Sequence, residues 1–263
     1  MRDILLTKII DFIFPHQKYI RSEQKFWDHH WEKMMQYYKK NQEIFEINDK
    51  WDFYCNEALH NHYRSIVKNF DDKLCLECGC GGGYESALMA RDGARVAVLD
   101  YSENALNYAK IVSNTLGVAD KTKFICEDFF RFKEAGQYDL VWNCGMLEHY
   151  RDEKIIELIN KMILLAKEGG LIAITVPNLL SPQSIFWMLT EGKGSERYLG
   201  RKKLVQTLKK SGLEDIEIRN LNFWLPSFLP YKWAVKTSKI KALNNLNFFA
   251  WLFTAVGKKP AKH

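Results

Sequence analysis

The run Glu77-Cys78-Gly79-Cys80-Gly81-Gly82-Gly83 constrains this 263-residue chain more than any other segment. It follows a short apolar stretch at 73–77 that is typical of a buried strand, and it precedes an amphipathic stretch near 84–91. Glycines in such a turn allow positive φ and let a ligand approach the backbone closely. In an open α/β sheet, ligands bind at the carboxyl ends of the strands. The run therefore predicts a strand–turn–helix unit with a ligand site at the turn.

Short apolar runs alternate with amphipathic stretches beyond that turn. The pattern predicts strands at 73–77, 95–99, 123–126, 138–143, 170–176, 213–222 and 248–256. It predicts helices near 84–91, 102–115 and 152–167, the last of them ended by Glu168-Gly169-Gly170. Runs rich in Val, Ile and Leu that alternate with helices indicate parallel strands covered on both faces. The fold class is therefore α/β with a doubly wound sheet.

Three regions lie outside this alternation. Residues 1–70 are mainly helical in pattern and rich in aromatic side chains, so we expect a helical N-terminal cap. Residues 71–263 are expected to form the main domain, with insertions at about 178–199 and 223–247 that contain prolines and apolar patches. The apolar start at 4–14 either packs as a buried cap helix or touches a membrane or a partner subunit.

Composition excludes several classes of protein. Hydrophobic residues make up 47% of the chain, which argues against a mostly disordered protein. No apolar run reaches the roughly 18 residues of a membrane-spanning helix, and no secretory signal is evident, so a cytoplasmic location is expected. Cys75, Cys78 and Cys80 have the short spacing of half a zinc site, but no second Cys or His pair accompanies them. We expect free thiols and no metal.

Charge is uneven along the chain. Residues 189–263 carry 15 basic and five acidic side chains, whereas residues 1–188 carry 23 basic and 27 acidic ones. The basic C-terminal third is either a solvated lysine face or a surface that attracts phosphate, carboxylate or a membrane. Peripheral membrane contact therefore stays open.

The spacing of the glycines separates two classes of cofactor. A dinucleotide fingerprint needs Gly-x-Gly-x-x-Gly/Ala, and here Tyr84 or Ser86 stands where the third small residue belongs. The turn instead spells acidic-x-Gly-x-Gly-x-Gly, beginning at Glu77. A carboxylate at the strand end suits a cationic amine better than a polyphosphate. S-adenosylmethionine carries an amine and a sulfonium and no phosphate, so the pattern favours it over NAD.

Over about residues 73–177 the chain resembles the class I S-adenosylmethionine-dependent methyltransferases, especially the group that modifies small molecules. The resemblance implies a Rossmann-like seven-stranded sheet of order 3-2-1-4-5-7-6 with an antiparallel seventh strand. It implies that Asp100 binds the ribose hydroxyls and that Asp128, or its neighbour Glu127, lies near the adenine amino group. The implied cofactor-binding residues are Glu77, Gly79, Cys80, Gly81, Asp100, Tyr101, Asp128, Phe129 and Asn143. Asp100 could instead cap the following helix, and Glu77 could be a buried acid with a structural partner.

The reaction implied is transfer of a methyl group to oxygen or nitrogen of a small, partly hydrophobic molecule, with S-adenosylhomocysteine as product. The cap and the insertions are expected to form the acceptor pocket. A general base helps when the acceptor is a hydroxyl, and His149 beyond the fourth strand is the candidate. The ubiquinone-type branch carries Glu-x-x-Glu-His here, but Gly145 replaces its first Glu, so metal dependence is not expected.

Other functions compete with this one. The acceptor could be a lipid or, less readily, a nucleic acid held by the basic C-terminal third. The domain could bind the cofactor without turnover, as a regulator or a partner-stabilising subunit. An oxidoreductase is disfavoured because the turn lacks the third glycine of the dinucleotide fingerprint. The oligomeric state is not evident from the sequence.

Overall fold

The computed structural model describes residues 24–178, 181, 184–185, 199–223 and 250–261, with the backbone alone at 50–54 and 222–223. The apolar start at 4–14 and most of the two expected insertions lie outside these residues. No described helix is long and apolar enough to span a membrane. The described helices of four residues or more are α1 Gln24–Asn41, α2 Phe45–Asn48, α3 Lys50–Val67, α4 Tyr84–Arg91, α5 Glu103–Thr115, α6 Asp152–Leu165 and α7 Arg201–Lys210.

Seven strands form a sheet in the order β3-β2-β1-β4-β5-β7-β6, as the resemblance implied. The strands are β1 Leu74–Cys78, β2 Arg95–Asp100, β3 Thr122–Cys126, β4 Tyr138–Cys144, β5 Ala166–Pro177, β6 Glu214–Phe223 and β7 Ala250–Lys258. β1 pairs in parallel with β2 and β4, and β2 pairs in parallel with β3. β6 and β7 are antiparallel. The doubly wound α/β fold is therefore confirmed, and each predicted strand overlaps an observed one, although 248–249 of the last prediction lie outside the described residues.

The predicted end of the 152–167 helix was wrong by two residues. α6 ends at Leu165, and Ala166 already begins β5. The reason is a pairing with the C-terminal segment: the amide of Gly169 donates to the carbonyl of Lys259 at 3.0 Å, and the amide of Lys259 donates to Gly170 at 2.9 Å. These tertiary hydrogen bonds override the local helical pattern.

Contacts divide the described chain into two compact units. The first holds the described parts of Glu23–Cys144, Lys161–Ile172 and Lys259–His263, and the second those of Gly145–Asn160 and Ala173–Lys258. The core of the first unit includes fully buried Tyr63 and Trp142, whose ring centroids lie 6.1 Å apart and join α3 to β4. Residues of the expected cap thus contribute to the core of the first unit.

The second unit contains the β6–β7 pair and α7, a helix that the sequence pattern did not predict. Leu204 and Leu208 are buried and four residues apart, but lysines surround them, so the apolar stripe is narrow. The guanidinium of Arg201 lies 5.6 Å from the ring centroid of Phe253. This cation–π contact ties the start of α7 to β7.

The six cysteines are free, and Cys75, Cys78 and Cys80 are buried in β1 and the turn after it. Burial raises the pKa of Cys75 to about 12, so its thiol stays protonated near neutral pH. These side chains act as small apolar fillers of the strand.

Candidate functional site

The glycine turn after β1 is held by the neighbouring strand. Glu77 and Cys78 lie beside Val98 and Leu99 in the parallel register of β1 and β2. The amide of Gly79 donates to the carbonyl of Leu99 at 2.8 Å, which carries the pairing beyond the end of β1. The turn therefore has a defined conformation, set by the end of β2.

Asp100, the last residue of β2, joins the turn to the next loop. Its Oδ2 accepts from the amide of Gly81 at 3.0 Å, and its Oδ1 accepts from the amide of Ser102 at 2.9 Å. Burial raises the pKa of Asp100, and the two amides oppose that rise. Ser102, not Asp100, caps α5, because its hydroxyl accepts from the amide of Ala105 at 3.4 Å. The helix-cap alternative for Asp100 is therefore wrong.

Glu77, in β1 just before the turn, is 5% exposed. Its Oε2 accepts from the hydroxyl of Ser86 in α4 at 2.6 Å. Burial raises the pKa of Glu77 to about 8, and the Ser86 hydroxyl opposes the rise. The carboxyl group is thus largely protonated at neutral pH unless a cation lies beside it.

Three of the implied cofactor-binding residues, Tyr101, Asp128 and Phe129, follow β2 and β3. The carbonyl of Tyr101 accepts from the side-chain amide of Gln24 in α1 at 3.3 Å. The Oδ1 of exposed Asp128 accepts from the amide of Phe130 at 2.8 Å, so this carboxylate shapes the turn after β3. Phe129, the residue between Asp128 and Phe130, is buried. Its ring packs edge-on against that of Phe130. The amide of Glu127 donates to the carbonyl of Asp100, which brings the two strand ends together.

Asn143, near the end of β4, is fully buried. Its side-chain nitrogen lies 3.1 Å from the sulfur of Met162, and its Oδ1 is buried without a hydrogen-bond partner within the described part of the chain. The side chain thus faces the protein interior beside α6. A contact from Asn143 to a ligand beyond β4 would therefore use its backbone rather than its side chain.

Two side chains at the turn were missed by sequence reasoning. Trp31 of α1 and Glu46 of α2 lie against Gly81 and Gly82, in the positions where a Cβ atom of each glycine would point. No signal in the sequence indicated these contacts, since a periodic pattern predicts the face of a helix but not its distant partner.

His149 belongs to the second unit, in a one-turn 3-10 helix, Leu147–His149, and it is buried. Glu148 is buried beside it, and its Oε1 lies 3.6 Å from the position of a Cβ on Gly145. Among the residues that the structure describes, no three His, Cys, Asp or Glu side chains are grouped to hold a metal ion.

The described basic residues of the C-terminal third include those of α7, in the second unit. This helix carries five basic residues and no acidic one. Lys203 pairs with Asp152 of α6 at 2.6 Å, and Lys202, Lys209 and Lys210 are exposed. Both the solvated face and peripheral membrane contact stay predictions.

Similar proteins are methyltransferases by name. A family profile described as a methyltransferase domain matches residues 75–170. The ubiquinone biosynthesis O-methyltransferase of Bordetella avium is 27% identical over 170 residues, covering 61% of this chain and 70% of that protein. Its counterpart in Cupriavidus pinatubonensis is 29% identical over 161 residues, covering 57% of this chain and 64% of that protein. The alignments therefore span only part of these relatives' length.

The fold is shared with a solved structure of similar name. A SAM dependent methyltransferase from Archaeoglobus fulgidus matches with a TM-score of 0.57 and 19% sequence identity, covering 78% of this chain and 94% of that one. At this level of identity the likeness shows the fold.

Proposed function

We propose that this chain, which belongs to the class I S-adenosylmethionine-dependent methyltransferases, transfers a methyl group to an oxygen or nitrogen of a small, partly hydrophobic molecule. Oxygen is favoured, because the relatives of similar sequence are named O-methyltransferases. One observation carries the proposal: the 3.0 Å hydrogen bond from Gly81 to Asp100 joins the glycine turn and the strand-end acid in one site.

The chemistry of the turn fits a cofactor with an amine and a sulfonium but no phosphate. Glu77 and Asp100 are both carboxyl groups, and burial raises the pKa of each. A cation beside them lowers the energetic cost of ionising them, whereas a phosphate adds like charge. The site therefore favours a cationic ligand on electrostatic grounds.

Each residue at the strand ends takes a part in this proposal. The carboxyl group of Asp100 has more lone pairs than the backbone amides that it accepts, and the remaining acceptor capacity receives the ribose hydroxyls. Glu77 faces the ammonium group, and Asp128 lies near the adenine. The remaining contacts are backbone or ring contacts from Gly79, Cys80, Gly81, Tyr101, Phe129 and Asn143.

The bound cofactor supplies an electrophilic methyl group on a sulfur that leaves as a neutral thioether. The chain's own task is to align the acceptor atom with that methyl group and to exclude water. A hydroxyl acceptor must lose its proton as the new carbon–oxygen bond forms, and the imidazole of His149 is the proposed recipient.

The test incubates the purified full chain with labelled S-adenosylmethionine and a panel of phenols, carboxylic acids and amines that differ in apolar bulk. We expect S-adenosylhomocysteine and a methylated product, with turnover highest for a hydroxylated, partly apolar acceptor. Asp100→Ala serves as the variant without the strand-end acid, and Asp120→Ala, at an exposed position, as its matched control.

Two results would contradict the proposal in different ways. Cofactor binding without a methylated product from the panel or from a metabolite extract would favour a non-catalytic binding module. Equal turnover of Asp100→Ala and the parent would mean that Asp100 takes no part in the cofactor site.

A further inference from the structure

Side chains of the chain itself fill the space that two glycines leave open at the turn. At Gly81, whose φ is +51°, a Cβ would collide with the indole of Trp31. At Gly82 a Cβ would lie 2.9 Å from Oε1 of Glu46 and 3.1 Å from Cδ1 of Tyr108. An indole and a carboxyl group therefore lie directly on the backbone of the turn.

One buried tyrosine holds both groups in place. The hydroxyl of Tyr108 donates to Oε2 of Glu46 at 2.7 Å and accepts from the amide of Phe45 at 3.0 Å. Its ring centroid lies 5.7 Å from that of Trp31, and Tyr108 is fully buried in α5. Burial raises the pKa of Glu46, and the Tyr108 hydroxyl opposes that rise. Glu46 is thus anchored at the turn by a defined hydrogen bond.

The same space has a different occupant in dinucleotide-binding proteins. There the second glycine of the turn lets the backbone approach the pyrophosphate, which lies at the N-terminus of the following helix. In this chain Gly81 is the second glycine of Gly79-x-Gly81, and α4 begins three residues later, at Tyr84. A phosphate at this place would overlap the indole of Trp31 and lie beside the carboxyl group of Glu46.

We propose that Trp31 and Glu46 are specificity-determining residues that keep phosphate-bearing adenine cofactors off the glycine turn. Trp31 acts by occupying the volume, and Glu46 acts by placing an acid where a phosphate would bind. The inference rests on the proposed cofactor site at this turn. The family profile matches residues 75–170. The inference therefore assigns part of the cofactor selectivity to side chains outside the matched segment.

Titration calorimetry with S-adenosylhomocysteine, ADP and NADH tests the inference. The parent should bind S-adenosylhomocysteine and give no saturable heat with ADP or NADH up to about 1 mM. The double variant Trp31→Ala/Glu46→Gln should bind ADP with a dissociation constant at least about tenfold below that limit. Glu46→Gln alone should gain less ADP affinity. Glu32→Gln on the exposed side of α1 removes the same formal charge and should leave nucleotide binding as in the parent.

A folded double variant that binds S-adenosylhomocysteine but gains no ADP or NADH affinity would overturn the inference and leave the proposed function intact. Failure of the parent to bind S-adenosylhomocysteine would count against the proposed function instead. Should the double variant unfold, Trp31→Leu/Glu46→Gln provides the second test, because it removes the charge and most of the ring volume and keeps an apolar side chain at position 31. This milder variant should then gain ADP affinity, and no gain would again overturn the inference.

Discussion

The Oδ2 of Asp100 accepts the amide hydrogen of Gly81 across 3.0 Å, so the end of β2 and the glycine turn after β1 are one hydrogen-bonded unit. The carboxylate also accepts from the amide of Ser102, the residue that caps α5. A change at Asp100 should therefore act on cofactor affinity directly, through a lost acceptor, and indirectly, through a looser turn.

Asp100→Ala should weaken S-adenosylhomocysteine binding by about tenfold to a hundredfold, the range for a lost hydrogen bond to a charged group. Asp100→Asn keeps one acceptor oxygen, so its affinity should lie between those of Asp100→Ala and the parent. Calorimetry measures the affinities, with the exposed Asp120→Ala as the matched control. An affinity of Asp100→Ala equal to that of the parent would mean that the ribose binds elsewhere.

Gly81→Ala should cost more stability than Gly117→Ala, although both positions have positive φ. A side chain at Gly117 meets nothing within 4 Å, so that variant bears only the backbone strain of about 1 kcal/mol. At Gly81 the new methyl group also collides with Trp31. Urea unfolding measures the free energy that each variant loses. The loss caused by Gly81→Ala should be smaller in a Trp31→Ala background than in the parent. Equal losses for the two alanine variants would show that the indole does not lie on the turn.

The sequence predicted the central strands because each carries consecutive apolar residues between turn signals, as in the 74–78 and 95–100 runs. It could not predict contacts that depend on distant segments. Glu46 and Tyr108 are 62 positions apart, and no local pattern indicates that their side chains meet. The places of Glu77 and Asp100 at strand ends follow from the apolar runs before them, whereas the side chains that reach the turn from α1 and α2 could not be predicted.

Binding of the cofactor should release protons at neutral pH. Burial holds the pKa of Glu77 at about 8, so the folded protein keeps this proton at pH 7, and a cationic amine nearby would favour its loss. Calorimetry in buffers of different ionisation enthalpy measures the release. Glu77→Gln should abolish it, and Glu57→Gln, at an exposed position, should not. Heats that are independent of the buffer in the parent would place the ammonium group away from Glu77.

Glu77 should also make the free protein less stable as pH rises. An unfolded glutamate loses its proton near the usual pKa of 4.5, whereas the folded one keeps it up to about 8. The folded state therefore binds more protons between these values, and the free energy of unfolding falls as pH rises between them. Glu77→Gln should flatten this fall in chemical unfolding measured from pH 5 to 8. An unchanged slope would mean that Glu77 ionises normally in the folded state.

His60 of α3 forms a second titrating centre with two carboxyl groups of the α4 segment, Glu85 in its first turn and Asp92 at its end. Its Nδ1 lies 2.9 Å from Oε1 of Glu85, and its Nε2 lies 2.9 Å from Oδ2 of Asp92. Burial lowers the pKa of His60, but hydrogen bonds and charge from the two carboxylates outweigh burial and raise it. With a carboxylate at each nitrogen, the doubly protonated ring can donate to both.

A raised folded pKa means that His60 stabilises the fold fully below the unfolded value of 6.5, and that this contribution is lost as pH rises through the folded value. His60→Gln should therefore cost about 3 kcal/mol at pH 6, as expected when one partner of a buried ion pair is removed, and less at higher pH. Because Glu77 produces a slope of the same sign, the comparison is made in a Glu77→Gln background by urea unfolding from pH 5.5 to 9. His29→Gln, at an exposed histidine of α1, is the matched control for the substitution. A cost that stays constant across the whole range would show that His60 is neutral in the folded protein and only packs between α3 and α4.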